Sequence, residues 1–192
     1  NVSGDLNRND VIGIPKSAER CVVNFRSENC RLEIGAGCVL DGLEVNFNRP
    51  NQAVMFTGDN RIRGQLHLTA PRTAVSFGFG TRTNAYVWAN LAEADTAIRL
   101  GAGCLLASVR FRTSDSHKIF DLETGKRINL PGDIEIGDRV WIAEDVLLLK
   151  GTRIGDGSVV GARAVVNGPL PPNSLSAGAP ARVIRHNIRW EE

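Results

Sequence analysis

At 192 residues, 42% hydrophobic and 23% charged, the chain is a globular sequence long enough for one domain with a buried core. A net charge of +2 argues against a dedicated nucleic-acid binder, which would present a strongly basic domain. No apolar run approaches the roughly 18 residues of a membrane span and no basic-then-apolar leader opens the chain, so a soluble protein with no integral membrane segment is expected, although a leader removed ahead of Asn1 would leave no trace.

Residues 1–30 carry no periodic signal that places them. Cys21, Cys30, Cys38 and Cys104 form no CxxC pair and no metal spacing with histidine. They read as small apolar fillers in a reducing compartment rather than as a disulfide framework. Ile34-Gly35 with Leu40 is a first repeat fragment. From 41 to 99 the apolar residues Val54, Ile62, Leu66, Leu68, Val75 and Val87 suit strands, but their register is irregular, which predicts coils with imperfect corners. Leu100-Gly101 with Leu106 is a second fragment. Leu100 and Ile136 are separated by a whole number of hexads, yet 113–133 is rich in Ser, Asp, Gly and Pro without hexad register, and is expected to be an excursion from the repeat.

From Ile136 onward the repeat is clear. Ile136, Ile142, Leu148, Ile154, Val160 and Val166 recur at every sixth position, with Gly137, Ala143, Gly155 and Gly161 behind four of them. A helix would want a period near 3.6 and a simple strand would alternate. A period of six fits a short flat strand and a tight corner, with the apolar residue inward and a small residue where a side chain would crowd or φ turns positive. Three units make a triangular coil, and stacked coils bury a continuous core. The coil is expected to end near Leu170-Pro171-Pro172, because proline stops strand pairing. The remainder, 171–192, is expected to cap the open end as a short helix or strap.

Loops on a rigid scaffold are where catalytic residues concentrate. Of three histidines, His67 lies in an alternating stretch and His186 in the tail; only His117 lies in the polar excursion. Imidazole titrates near neutrality and can take a hydroxyl proton as attack begins. Asp115 is a candidate to orient it.

The strings Ser114-Asp115-Ser116-His117, Arg127-Ile128-Asn129, Ile136-Gly137-Asp138-Arg139-Val140-Trp141-Ile142, Lys150-Gly151, Ile154-Gly155-Asp156 and Ala177-Gly178-Ala179-Pro180-Ala181-Arg182-Val183-Ile184-Arg185, in that order, resemble the hexapeptide-repeat O-acetyltransferases. The likeness is greatest to those acting on capsular polysaccharide, including polysialic acid O-acetyltransferases, and more distant to maltose and galactoside acetyltransferases. It implies an all-β fold, a left-handed parallel β-helix spanning 1–192 as a single domain with one protruding loop.

The same resemblance implies a bacterial, cytoplasmic enzyme that moves an acetyl group from acetyl-CoA to a saccharide or polysaccharide hydroxyl by direct transfer, with no metal. His117 falls on the family's catalytic base, and Trp141 on a tryptophan needed near the thioester. Glu144 falls beside the reacting carbonyl, where its backbone N–H rather than its carboxylate would serve as an oxyanion donor. Lys150, Ala162, Arg163, Arg182 and Arg185 are expected along the coenzyme, the arginines at its phosphates. Asn167-Gly168 replaces the family's Thr-Lys, which removes one phosphate contact that Arg163 could restore. Lys126, Arg127 and Asn129 are expected on the acceptor, and Lys126 and Arg127 with Arg61, Arg63, Arg72 and Arg82 offer a path for an anionic polymer. The resemblance further implies a homotrimer with each site between two neighbouring coils, the His loop from one subunit and the coenzyme wall from the other.

Rival readings are an N-acetyltransferase of a sugar-nucleotide amine, a serine acetyltransferase, and a β-helix assembly scaffold without activity. A γ-type carbonic anhydrase needs three closely spaced zinc-binding histidines, and His67, His117 and His186 are too dispersed.

Overall fold

The computed structural model describes all 192 residues. It is built of strands without a helix, so none is long and apolar enough to cross a membrane. The strands stack in parallel on three faces of a prism. The first face is an eight-stranded sheet that runs from Asp10–Ile12 through Ala97–Leu100, Ile134–Ile136 and Arg153–Ile154 to Pro169–Leu170. The second passes through Leu105–Leu106, Trp141–Ile142 and Val159–Val160 to Ser174–Gly178. The third passes through Val22–Phe25, Val87–Leu91, Arg110–Arg112 and Leu147–Leu149 to Val165–Val166. The unplaced N-terminal stretch is also coil, since Val2–Gly4 pairs in parallel with Val22–Phe25 and Asp10–Ile12 with Arg31–Ile34.

Alternation across each short strand turns one side chain inward per face, as a period of two dictates. All six hexad residues from Ile136 to Val166 are buried, and each such side chain contributes roughly 1.5–3 kcal/mol by leaving water. They join a single core cluster of 37 residues, extended upstream by stacked phenylalanines such as Phe25 on Phe47, whose ring centroids are 4.8 Å apart. Cys30, Cys38 and Cys104 are free thiols buried in that core. Burial pushes the Cys104 thiol up to about 11, so it is packing rather than chemistry.

Coil length explains where the repeat is legible. In the C-terminal coils, stacked residues such as Asp138 and Asp156 are 18 apart, three hexads. Upstream, stacked partners are 21, 22 or 23 apart, as in Asn9–Cys30, Asn24–Asn46 and Arg72–Asp95, so the hexad phase slips at every turn. Leu100 pairs directly with Ile136, so the interval between them is one coil plus the excursion.

The glycine that follows Ile136, Ile154 and Val160 answers to crowding, not to φ. A Cβ on Gly137 would lie 2.0 Å from Asp156 Oδ1, whereas the positive φ of that corner, 52°, falls at Arg139. Ala143 is accommodated for the same reason, its corner taking positive φ at Asp145.

One expectation about the C-terminus is corrected, and of the helix or strap expected as the cap the strap is the one present. Pro171 and Pro172 occupy a corner rather than the end, because Ser174–Gly178 continues the second face in parallel with Val159–Val160. The cap is not helical: Ala181–His186 folds back antiparallel on Ser174–Gly178, and the final segment straps over the second face, with Trp190 Nε1 donating to the Arg139 carbonyl at 2.7 Å.

Candidate active site

The excursion leaves the prism after Arg110–Arg112 on the third face and rejoins at Ile134–Ile136 on the first. Its base is closed by Gly132 N–H donating to the Thr113 carbonyl at 2.9 Å. The buried hydroxyls of Thr113 and Thr96 lie 3.0 Å apart beneath it. Asp133 accepts from Ala97 N–H at 2.8 Å and from the Arg99 guanidinium at 2.6 Å, which fixes the return strand.

Inside the excursion Asn129 is buried at 7% exposure. Its Nδ2 donates to the His117 carbonyl at 2.7 Å and to Asp115 Oδ2 at 2.9 Å. Its Oδ1 accepts from Ile119 N–H at 2.7 Å and from Arg127 Nε at 3.3 Å. That is the full hydrogen-bonding capacity of a carboxamide, all of it directed at the loop itself. Arg127 also places both terminal nitrogens on the Glu93 carboxylate at 2.6 Å, a paired geometry with the two side chains only 14% and 18% exposed. Glu93 is correspondingly held below the usual carboxylate range, first by that bond. Lys150 is ion-paired with Asp115, and this bond, followed by the one from Asn129, depresses the Asp115 carboxyl.

These contacts change the roles read from the sequence. Asn129 and Arg127 are occupied in holding the loop. Asp115 faces Lys150 and Asn129 rather than the His117 ring, and Lys150 is engaged by Asp115 rather than lying free along a coenzyme. Lys126 alone of the three expected acceptor residues is exposed and without an acidic partner. The basic path also breaks up, since Arg63 pairs with Asp41, Arg72 with Asp95 and Arg82 with Glu192. Glu93 had no local sequence signal, because its partner lies 34 residues away.

The frame leaves the His117 imidazole unengaged. His117 is exposed and its imidazole has no hydrogen-bond partner within the chain, while its own carbonyl is clamped. Ser116 before it takes a positive φ of 65° and is tied by Arg112 to its hydroxyl at 3.1 Å and by its N–H to Ser114 at 3.2 Å. A non-glycine residue held in that region marks a position fixed by its surroundings. The backbone around the ring is therefore set, and the ring is free to meet a substrate proton.

The remaining expected residues gather elsewhere. Trp141 stands on the second face, tilted against Trp190 at a centroid distance of 6.2 Å. With Val159, Leu175, Ile188 and Arg185 these two rings line a groove of about 480 Å³. Glu144, Ala162 and Arg163 are exposed on successive coils at the corner joining the second face to the third, where the Arg163 N–H donates to the Glu144 carbonyl at 2.8 Å. Arg182 and Arg185 lie on the terminal hairpin without carboxylate partners. An apolar wall ending in unpaired guanidinium groups suits a thioester carrier with a phosphorylated end. This wall is centred on the second face, while the His117 loop is pinned by Glu93 and Lys150 to the opposite corner, between the third face and the first.

Residues 133–168 match the family model described as bacterial transferase hexapeptide (six repeats). A candidate lipopolysaccharide biosynthesis O-acetyl transferase, WbbJ of Escherichia coli (strain K12), is 37% identical over 181 residues, covering 85% of each chain. The chain belongs to the hexapeptide-repeat acetyltransferases. The polysialic acid O-acetyltransferase of Escherichia coli O1:K1 / APEC is 32% identical over 133 residues, 69% of this chain and 42% of that protein. Among solved structures, the polysialic-acid-specific acetyltransferase NeuO superposes with a TM-score of 0.78 at 28% identity, over 97% of this chain and 90% of that one. The polysialic acid O-acetyltransferase OatWY gives 0.80 at 27% identity, over 96% and 88%. The prism of this acetyltransferase is thus the family's left-handed parallel β-helix.

Proposed function

We propose that this acetyltransferase transfers the acetyl group of acetyl-CoA to a hydroxyl of a bacterial surface saccharide, with His117 as general base. The observation that carries the reading is the framed loop: the His117 carbonyl, Asp115 and Ser116 are all held, while the imidazole is exposed and left open. The relatives named for lipopolysaccharide biosynthesis and for polysialic acid support a saccharide acceptor.

In this reading the His117 imidazole takes the proton of the acceptor hydroxyl as its oxygen attacks the thioester carbonyl. The Glu144 backbone N–H faces the developing oxyanion, which a carboxylate would repel. The thiolate leaves with the proton returned by the imidazolium. Trp141, with Val159 and Leu175, supplies the apolar wall against the pantetheine arm, and Arg182 and Arg185 meet the phosphates. Since the wall and the loop stand on opposite sides of one prism, a second copy must bring its wall to the loop. A homotrimer does so, and the excursion's exposed Ile119, Phe120, Leu122, Ile128 and Leu130 give such a copy an apolar surface to cover.

The test is thiol release from acetyl-CoA in the presence of matched hydroxyl and amino sugars. Turnover with hydroxyl sugars, giving an alkali-labile ester, supports the reading. Turnover confined to amino sugars, giving an alkali-stable amide, would replace it with N-acetylation.

A further inference from the structure

One wide groove of the molecule belongs neither to the imidazole loop nor to the apolar wall around Trp141. It lies across the third face, has a volume of about 530 Å³, and is lined by Tyr86, Trp88, Arg110, Arg112, Asp145 and Leu147 among others. Its construction follows from strand register. Trp88, Arg110 and Leu147 are directly paired on three successive coils, as are Asn90, Arg112 and Leu149. Their side chains therefore stand in two outward rows with rungs roughly 4.8 Å apart, while Val109 and Phe111 point into the core. Tyr86 is fixed at the rim by its hydroxyl donating to the Gly42 carbonyl at 3.1 Å. Trp88 is backed by His67 at a ring distance of 6.0 Å.

Two features set this groove apart from a solvated face. Arg110 and Arg112 both stand in the groove beside Trp88 and Tyr86 without a carboxylate partner, unlike Arg63, Arg72 and Arg82 of the basic path read from the sequence. And the groove leads to the reacting centre, because Arg112 holds the Ser116 hydroxyl next to His117 at 3.1 Å.

We infer that this groove is the acceptor subsite and that it takes an anionic saccharide: the sugar's C–H face against Trp88 and Tyr86, its carboxylate or phosphate on Arg110. An indole offers a flat apolar surface to a pyranose ring, and a guanidinium binds a planar carboxylate through two parallel bonds. The carboxylate of Asp145 at the far rim disfavours a second negative charge there, which orients the sugar with its anionic group toward Arg110 and leaves a hydroxyl toward the loop. This rests on the saccharide reading above and replaces the acceptor role that the family resemblance implies for Arg127 and Asn129.

The test is calorimetric binding of oligosialic acid, oligogalacturonate and a neutral malto-oligosaccharide of equal length to the full chain and to its Arg110→Gln and Trp88→Ala variants, alongside coenzyme A. At least one anionic oligomer should bind more tightly than the neutral one, and each variant should weaken that binding at least five-fold with coenzyme A affinity unchanged. Three results overturn the assignment: no anionic oligomer binds, the neutral oligomer binds equally well, or the variants lose coenzyme A instead. Arg110→Lys, which keeps charge but not the fork, should recover binding only in part, and a variant with an altered melting temperature is replaced by it. Because binding is read without turnover, failure here leaves the transfer assay to stand or fall alone.

Discussion

The side-chain amide of Asn129 and the backbone carbonyl of His117 are joined by a 2.7 Å hydrogen bond across twelve residues of loop. The catalytic candidate is thus positioned through its main chain, and the amide that does so is buried. Replacing Asn129 with Leu removes four bonds at once and leaves the Asp115 carboxylate and two backbone groups short of a partner. Transfer by Asn129→Leu should fall at least ten-fold in kcat with little change in coenzyme A affinity, and hydrogen exchange over 115–120 should accelerate. Unchanged exchange in that segment would show that the loop is held by something else.

Acid should release the same loop before it unfolds the prism. Asp115 is depressed by its bonds to Lys150 and Asn129, and Glu93 by its bond to Arg127. A carboxyl whose folded pKa lies below its unfolded value contributes stability above the unfolded pKa, and loses it as pH falls through the folded one. The two contributions are therefore complete at neutrality and disappear below about pH 4. Proteolysis by pepsin as pH is lowered should cut first between 113 and 133, and Asp115→Asn should make that region sensitive at neutral pH to a second protease. First cleavage in the stacked coils would contradict this order.

Corner crowding gives a stability prediction with its own control. Gly137→Ala sets a methyl 2.9 Å from the Asp156 backbone nitrogen as well as 2.0 Å from its Oδ1, while a methyl at Gly168 would meet nothing within 4 Å, and that residue has no positive φ. Overpacking of this kind costs about 1–3 kcal/mol, or roughly 2–4 °C of melting temperature per kcal/mol at this size. Gly168→Ala should melt as the parent does. Equal melting of both variants would mean that the corner relaxes.

How much of this could be read from residues alone varied along the chain for physical reasons. The run from Ile136 to Val166 was legible because each C-terminal coil closes in three hexads, so every inward residue keeps phase. Upstream the coils are longer and the register shifts between Leu40 and Leu43, which hides equally well-buried residues such as Val45 and Leu66 from a six-residue period. The excursion was visible as a polar interruption, and His117 as its one imidazole. The identity of its fixings was not: Glu93 and Lys150 reach the loop from neighbouring coils, and nothing local distinguishes Arg127, an internal clamp, from Arg110, an open guanidinium.

If the loop of one copy meets the wall of another, two inactive variants should complement. His117→Ala and Trp141→Ala, co-expressed with different tags and purified as mixed assemblies, should regain a fraction of transfer set by the share of interfaces carrying both native residues. Mixed assemblies as inactive as either variant alone would place both residues in one chain's site.

The most direct test of the account is a paired measurement on His117→Ala: acetyl transfer to a hydroxyl sugar and, on the same preparation, calorimetric binding of coenzyme A. General-base catalysis predicts a fall in kcat of roughly a hundred- to ten-thousand-fold with coenzyme A affinity retained. Transfer at the parent rate would contradict it and remove the imidazole from the reaction.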